Sequence, residues 1–132
     1  MTAFSIDQQV SDLGIQAIAL VASGIAVPKE SSPELDEIIE TAEKALVAAT
    51  DPKTLENEPE FKAFLAVHAQ LGKAANSEVA APETLLRLLH RGGRLPRINP
   101  LVDIYNLVSA QTRLAFVYAD CAPCRSMTTR SI

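Results

Sequence analysis

The chain has 132 residues, of which 48% are hydrophobic and 21% are charged. These values exclude a wholly disordered chain, and the length suits one domain built around a single core. No apolar run approaches the roughly 20 residues that a membrane span needs, and the first residues lack the basic region of a signal peptide. We therefore expect a soluble, cytoplasmic protein with no membrane partner.

The net charge of −4 is distributed unevenly along the chain. Residues 1–83 carry 14 carboxylates and 5 lysines, whereas residues 84–132 carry 7 arginines and 2 aspartates. An acidic chain is a poor general binder of nucleic acid, so we expect no DNA partner. The arginine-rich part can still meet phosphate, because binding depends on the field of the contacting face and not on the net charge alone.

A strand and a helix are the first elements that the sequence predicts. Residues 14–27 form a continuous apolar run rich in β-branched side chains, which favours a buried strand with a bend at Gly24. A short buried helix is the alternative, because the run also contains several alanines. Ser32 and Pro33 then form a helix start, and apolar residues at helical spacing predict a helix to about residue 49.

Two further helices are predicted before the arginine-rich turn. The first begins near residue 55 or 59 and ends at Gly72, with an apolar stripe that indicates packing on a sheet. Residues 73–80 are small and polar and form a connector. The second helix opens at Pro82 and ends before the glycine pair at positions 92 and 93.

Asn99 followed by Pro100 is a strong helix start. The asparagine side chain can accept a free backbone N–H, and proline at the first helical position gives up no hydrogen bond. This helix should end near residue 112, and residues 114–119 read as one more strand. From these elements we expect either a helical chain with a small sheet or one in which further strands are missing from the pattern, forming one domain over residues 1–120 with an irregular tail over residues 121–132.

The turn before Asn99 is locally cationic. It holds Arg87, Arg91, Arg94 and Arg97 with no acid among them. Arginine forks bind phosphate bidentately, and a loop that runs into a helix N-terminus adds oriented N–H groups, which together suit an RNA backbone. The structural alternative is a solvated arginine face that offsets the dipole at a helix C-terminus. The sequence leaves both interpretations open.

The helix after this turn is apolar on nearly all sides but carries a polar seam, formed by Asn99, Asp103, Asn106 and Arg113. Polar groups inside a buried helix must be paired, either with the protein or with a ligand. In the structural interpretation Asn99 caps the helix, Asp103 pairs with Arg94 or Arg97, and Asn106 bonds to nearby backbone. In the functional interpretation the seam lines a binding site.

Other reactive side chains give weaker signals. Cys121 and Cys124 have the C-x-x-C spacing of redox and zinc sites. The sequence contains no second pair of cysteines, and no histidine lies near this pair. His68 and His90 stand alone on predicted helices, where histidines are mostly structural or exposed. The sequence contains no nucleophile elbow, phosphate loop or paired catalytic carboxylates. We therefore assign no catalytic residue, no cofactor and no metal site.

Residues 92–108 read Gly-Gly-Arg-Leu-Pro-Arg-Ile-Asn-Pro-Leu-Val-Asp-Ile-Tyr-Asn-Leu-Val. This stretch resembles the B3/B4 domain, which phenylalanyl-tRNA synthetase β subunits use for editing and which also occurs in free-standing proteins. The likeness is greatest to the free-standing group. In the synthetases the stretch reads Arg-Pro-Ile-Asn-Asn-Val-Val-Asp-Val-Thr-Asn-Tyr-Val. The residues that match it without a gap are Asn99, Val102, Asp103, Asn106 and Val108.

The resemblance implies a mixed α/β pocket module that binds tRNA or hydrolyses the ester of a mischarged tRNA. The substrate- or RNA-binding residues would then be Arg91, Arg94, Arg97, Asn99, Asp103 and Asn106. The alternative is a non-catalytic domain on the same scaffold that binds a small molecule or a protein.

Two departures from the family bear on this choice. Val117 stands where the synthetases have their pocket histidine, although free-standing members also commonly lack it. The chain also stops at residue 132, before the strands that complete the family's pocket, so we expect a C-terminal truncation. An unpaired sheet edge left in that way would favour a homodimer.

Overall fold

A computed structural model describes residues 5–72 and 79–117 of the chain. Over these residues 58% are helical and none lies in a strand. The predicted mixed α/β fold with a small sheet is therefore wrong for the described part of the protein, which is helical. The homodimer expected at a sheet edge stays a prediction, because these residues contain no sheet that could test it. None of the described helices is long and apolar enough to cross a membrane.

The described chain contains five α-helices and one 3-10 helix, and a long irregular segment separates the first helix from the second. The helices are α1 (Gln8–Asp12), α2 (Pro33–Ala49), a 3-10 helix (Leu55–Asn57), α3 (Pro59–Gln70), α4 (Ala81–Gly92) and α5 (Pro100–Thr112). The four longer helices lie where the sequence predicts helices. Each begins with proline in its first turn, where the missing N–H is not needed.

Side-chain caps fix the starts of two of these helices. Ser32 accepts a hydrogen bond from the Leu35 N–H at 3.2 Å, and Asn99 accepts one from the Val102 N–H at 3.0 Å. At the other end of α4, Gly93 adopts φ +77°, a left-handed conformation that costs glycine nothing. The cap at Asn99 is thus confirmed, and it aims α5 back across the end of α4.

The core lies between α2, α4 and α5, which contact one another. Leu86 and Leu89 of α4 are fully buried, as is Ile39 of α2, and Ala110 of α5 completes this contact. Helix α3 contacts the 3-10 helix, and Phe61 is its one buried residue. The apolar stripe of α3 therefore packs within a helical cluster and not on a sheet.

Residues 14–27 depart most from the prediction. Every residue from 14 to 30 is exposed, and residues 15–30 make no backbone hydrogen bond within the described chain. A strand needs a neighbouring strand to bond its N–H and C=O groups, and the helical elements offer none. Neither the buried strand nor the alternative buried helix forms. At the bend predicted for this run, Gly24 has φ +72°.

The second predicted strand, residues 114–119, is also not formed where it is described. Residues 114–117 have no regular structure and stay exposed, apart from the Leu114 carbonyl, which accepts from the Ser109 hydroxyl at 2.6 Å. Residues 118–132, which include Cys121, Cys124 and the predicted tail, lie outside the described residues.

Candidate functional site

The candidate residues gather around the α4–α5 loop, which spans residues 93–99. The loop leaves α4 through the left-handed Gly93 and ends at the Asn99 cap of α5. Within it, Leu95 is buried in the core, whereas Pro96 and Ile98 are exposed. Because one apolar anchor cannot hold an irregular loop, its shape depends on polar groups that bond to its backbone.

Glu43 of α2 is the strongest of these polar groups. Its side chain is buried, and Oε1 accepts a hydrogen bond from the Leu95 N–H at 2.7 Å. Arg97 lies against the same carboxylate, with Nη1 3.2 Å from Oε1 and Nη2 donating to Oε2 at 3.3 Å. A carboxylate that is removed from water needs such compensation, so Glu43 joins α2 to both the backbone and the cation of the loop.

Asp103 holds the other end of the loop. It is 3% exposed, and its Oδ1 accepts a hydrogen bond from the Ile98 N–H at 2.7 Å. Its position in the first turn of α5 also places a negative charge at the positive end of the helix dipole. The expected pairing of Asp103 with Arg94 or Arg97 is not formed, because both arginines pair with glutamates of α2.

Three of the four arginines in the cationic turn are paired with acids. Arg87 donates to Glu83 at 2.6 and 2.8 Å, and Arg94 Nη2 lies 3.2 Å from Oε1 of Glu40. The third arginine, Arg97, forms an ion pair with Glu43. The sequence shows no acid inside the turn, but the fold brings acids from α2 against it. Arg91 is exposed and has no ion-pair or hydrogen-bond partner within the described residues.

A cleft of about 250 Å³ lies between this loop and the start of α2. Four candidate residues contribute to its lining, namely Arg94, Arg97, Asn99 and Asp103. Lys29, Asp36 and Glu40 line it as well, so its walls carry charges of both signs. Arg91 and Asn106 do not line it. The structure therefore brings together four of the six residues that the sequence selects.

The arrangement does not resemble a set of groups poised for catalysis. One side-chain oxygen of Asp103 and one of Asn99 already accept a hydrogen bond from a backbone N–H. The Glu43 carboxylate accepts hydrogen bonds from the Leu95 N–H and from Arg97. A general base must instead reach a proton of the substrate or of a water molecule. These hydrogen bonds instead stabilise the α4–α5 loop and the start of α5.

Glu43 and Glu40 are the site residues that the sequence analysis missed. A signal for Glu43 exists, since it lies four residues after Ile39 and three before Leu46, both of them buried. A glutamate on the apolar face of a helix must be paired, so its spacing marks it as a structural carboxylate. Nothing comparable marks the half-buried Glu40, whose partner lies 54 positions away.

The histidines lie away from this cleft. His90 Nε2 is 2.6 Å from the Thr50 hydroxyl, which itself donates to the Leu46 carbonyl at 2.7 Å. This contact joins the end of α4 to the end of α2. His68 stacks on Phe64 with ring centroids 4.3 Å apart. Over residues 5–72 and 79–117 no three histidine, cysteine or acidic side chains converge to hold a metal.

Comparisons of the chain with models of protein families, with curated proteins and with solved structures found no match. The resemblance of residues 92–108 to the B3/B4 domain therefore stays a prediction from the sequence.

Proposed function

We propose that the chain is a non-catalytic binding module of the B3/B4 type and that its ligand is a protein. The observation that carries the proposal is the internal pairing around the α4–α5 loop. Glu43 and Asp103 are buried and bonded to the loop backbone, and Asn99 caps α5. Asn99 and Asp103, two of the residues that give the sequence its family resemblance, thus have a structural role.

A protein ligand is favoured by the apolar surface that the fold leaves uncovered. Residues 15–27 carry no charged side chain, and Ile18, Leu20 and Val21 are 90%, 90% and 78% exposed. Soluble proteins rarely expose contiguous apolar surface on this scale unless a partner covers it. A tRNA would gain little from aliphatic side chains, because it is bound through phosphate contacts and base stacking.

The competing function is the binding or editing of tRNA. Ester hydrolysis needs a positioned water and donors directed at the developing oxyanion. Phosphate binding needs cations that are free to leave their protein partners. In the cleft, Arg97 is committed to the buried Glu43, and Arg94 lies beside Glu40. These arginines therefore suit phosphate binding less well than they suit a structural clamp, by which we mean the bonds that Glu43 and Asp103 make to the α4–α5 loop.

A deacylation assay separates the two functions. The protein is incubated with phenylalanine tRNA carrying tyrosine, and release of tyrosine is followed beside a buffer control and an editing-competent synthetase. We expect release at the rate of the buffer control. Release above that rate would contradict the proposal, as would tRNA binding that weakens steeply with salt and loses that dependence in Arg94→Ala or Arg97→Ala.

Protein binding is tested by photo-crosslinking from position 20 in the intact chain. We expect a discrete crosslinked protein species, and we expect Ile18→Ser in the same crosslinking variant to weaken it. The matched control is Lys44→Ser, an exposed change on α2 outside residues 14–27. Crosslinks only to nucleic acid, or no crosslink at all, would contradict a protein ligand.

A further inference from the structure

We propose that a second surface, the arginine-rimmed groove at the end of α4, binds a short acidic peptide segment with apolar side chains. The groove is defined by Leu88, Arg91, Arg94, Leu95, Pro96 and Arg97, and it has a volume of about 490 Å³. This inference rests on the proposed protein-binding function and names the chemistry of one partner segment. Its apolar lining residues Leu88 and Pro96 belong neither to the candidates of the sequence analysis nor to the clamp, whereas Arg91, Arg94 and Arg97 are already candidate binding residues.

The groove combines an apolar floor with a cationic rim. Leu88, Leu95 and Pro96 line the groove, and of these Leu88 is half-buried and Pro96 is exposed, so apolar groups supply most of its surface. Arg91 of α4 and Arg94 of the loop both line this groove, and both side chains are exposed. Apolar contact supplies binding energy there, and the rim selects the charge of the partner.

The cations of the rim differ in how freely they can meet a ligand. Arg91 is exposed and has no partner within the described residues. Arg94 is 62% exposed, and its contact with the half-exposed Glu40 at 3.2 Å is of the weak kind that a ligand carboxylate can replace. Arg97 is held by the buried Glu43 and contributes shape to the groove. Two guanidiniums are therefore available to carboxylates of a peptide.

A peptide fits this groove better than a nucleic acid does. Its lining contains no aromatic side chain on which a base could stack. Helix α2, which contacts α4, carries Glu34, Asp36, Glu37, Glu40 and Glu43 against Lys44. This acidic helix repels a chain of many phosphates more strongly than it repels a short peptide with few carboxylates.

The test is a fluorescence anisotropy titration of the full chain with a labelled peptide of alternating leucine and aspartate. A second peptide, with lysine in place of aspartate, tests the charge preference. We expect the acidic peptide to bind more weakly as salt increases, and the lysine peptide not to bind. Arg91→Glu should weaken binding about tenfold or more, and Arg91→Lys should retain most of it.

Leu88→Ser tests the apolar floor, and circular dichroism checks that this variant stays folded. Arg91→Glu changes an exposed residue and should leave the protein folded. Its effect on peptide binding therefore tests the inference even if Leu88→Ser unfolds the protein. Failure of the acidic peptide to bind, or binding that Arg91→Glu leaves unchanged, would overturn the inference. Binding of tRNA that Arg91→Glu abolishes and Leu88→Ser spares would overturn it in favour of a phosphate surface. The deacylation and crosslinking assays do not involve this groove, so failure here is distinguishable from failure of the proposed function.

Discussion

Helix α5 and residues 14–27 are both rich in apolar side chains, yet one is packed in the core and the other is exposed. Helix α5 contacts both α2 and α4 and buries Leu107 and Ala110. Residues 14–27 are exposed throughout and make no regular structure. Because both segments are apolar, apolar composition alone does not determine which segment is buried.

The difference lies in the polar residues that join each segment to the rest of the molecule. Helix α5 begins at a capping Asn99 and carries Asp103, and the loop before it is bonded to Glu43. These bonds satisfy the backbone groups that burial would otherwise leave unpaired. Residues 14–27 have no such bonds, and an extended backbone without partners gains nothing from leaving water. A few placed polar groups therefore decide which apolar segment enters the core.

The largest effect should come from removing the carboxylate that joins α2 to the loop. In Glu43→Ala the buried Leu95 N–H and the Arg97 guanidinium both lose their partner, and we expect a loss of about 3 kcal/mol in the free energy of unfolding. Urea denaturation followed by circular dichroism measures it. The matched control is Glu40→Ala, whose exposed pair with Arg94 should be worth about 0.5 kcal/mol. Equal losses in the two variants would contradict the clamp.

Asp103→Ala should have the next largest effect. It leaves the Ile98 N–H without its acceptor and removes a favourable charge from the first turn of α5, for an expected loss of about 2 kcal/mol. The same denaturation experiment measures it, with Asp36→Ala as the control in the first turn of α2. If Asp103 instead served only a ligand, its removal would leave the stability unchanged and would alter binding alone.

Arg113 at the end of α5 allows a finer test. It adopts φ 63°, and its guanidinium donates to the Glu58 carboxylate at 2.5 and 3.1 Å. Arg113→Gly and Arg113→Ala both remove this ion pair, but only glycine accepts the left-handed backbone without strain. We expect the glycine variant to be about 1 kcal/mol more stable than the alanine variant. Equal stabilities would show that the helix end relaxes to another conformation.

The smallest effect should be seen in residues 14–27. Leu20 is 90% exposed, so Leu20→Ser should change the free energy of unfolding by no more than about 0.5 kcal/mol. Leu107→Ser, a change of the same type at a buried position of α5, should cost several times as much. A cost at Leu20 comparable with that at Leu107 would mean that this segment is packed in solution.

The helices could be predicted from the sequence because local signals determine them. Ser32, Asn99 and Gly93 act within one or two turns, and the structure uses all three as the sequence predicts. The strands could not be predicted correctly, because a strand depends on a partner that residues 14–27 do not reveal. The β-branched side chains of residues 14–27 indicate that this segment can pair with another strand, but they do not indicate whether such a strand is present.

The site was also predictable only where local signals determine it. The cap at Asn99 is local, and it is confirmed. The partners of Arg94 and Arg97 are glutamates of α2, each separated from its arginine by 54 positions, and a cationic turn considered alone looks free. Only the position of Glu43 on the buried face of α2 indicates from the sequence that a cation must pair with this helix.

Native-state amide hydrogen exchange compares the two regions most directly. The buried and bonded arrangement predicts strong protection of the Leu95 and Ile98 amides, with opening free energies close to that of global unfolding. The amides of Ile18 and Leu20 should exchange at nearly the rate of an unstructured peptide. Rapid exchange at Leu95 and Ile98, or strong protection at Ile18 and Leu20, would contradict the conclusion that placed polar groups hold α5 in the core while residues 14–27 stay outside it.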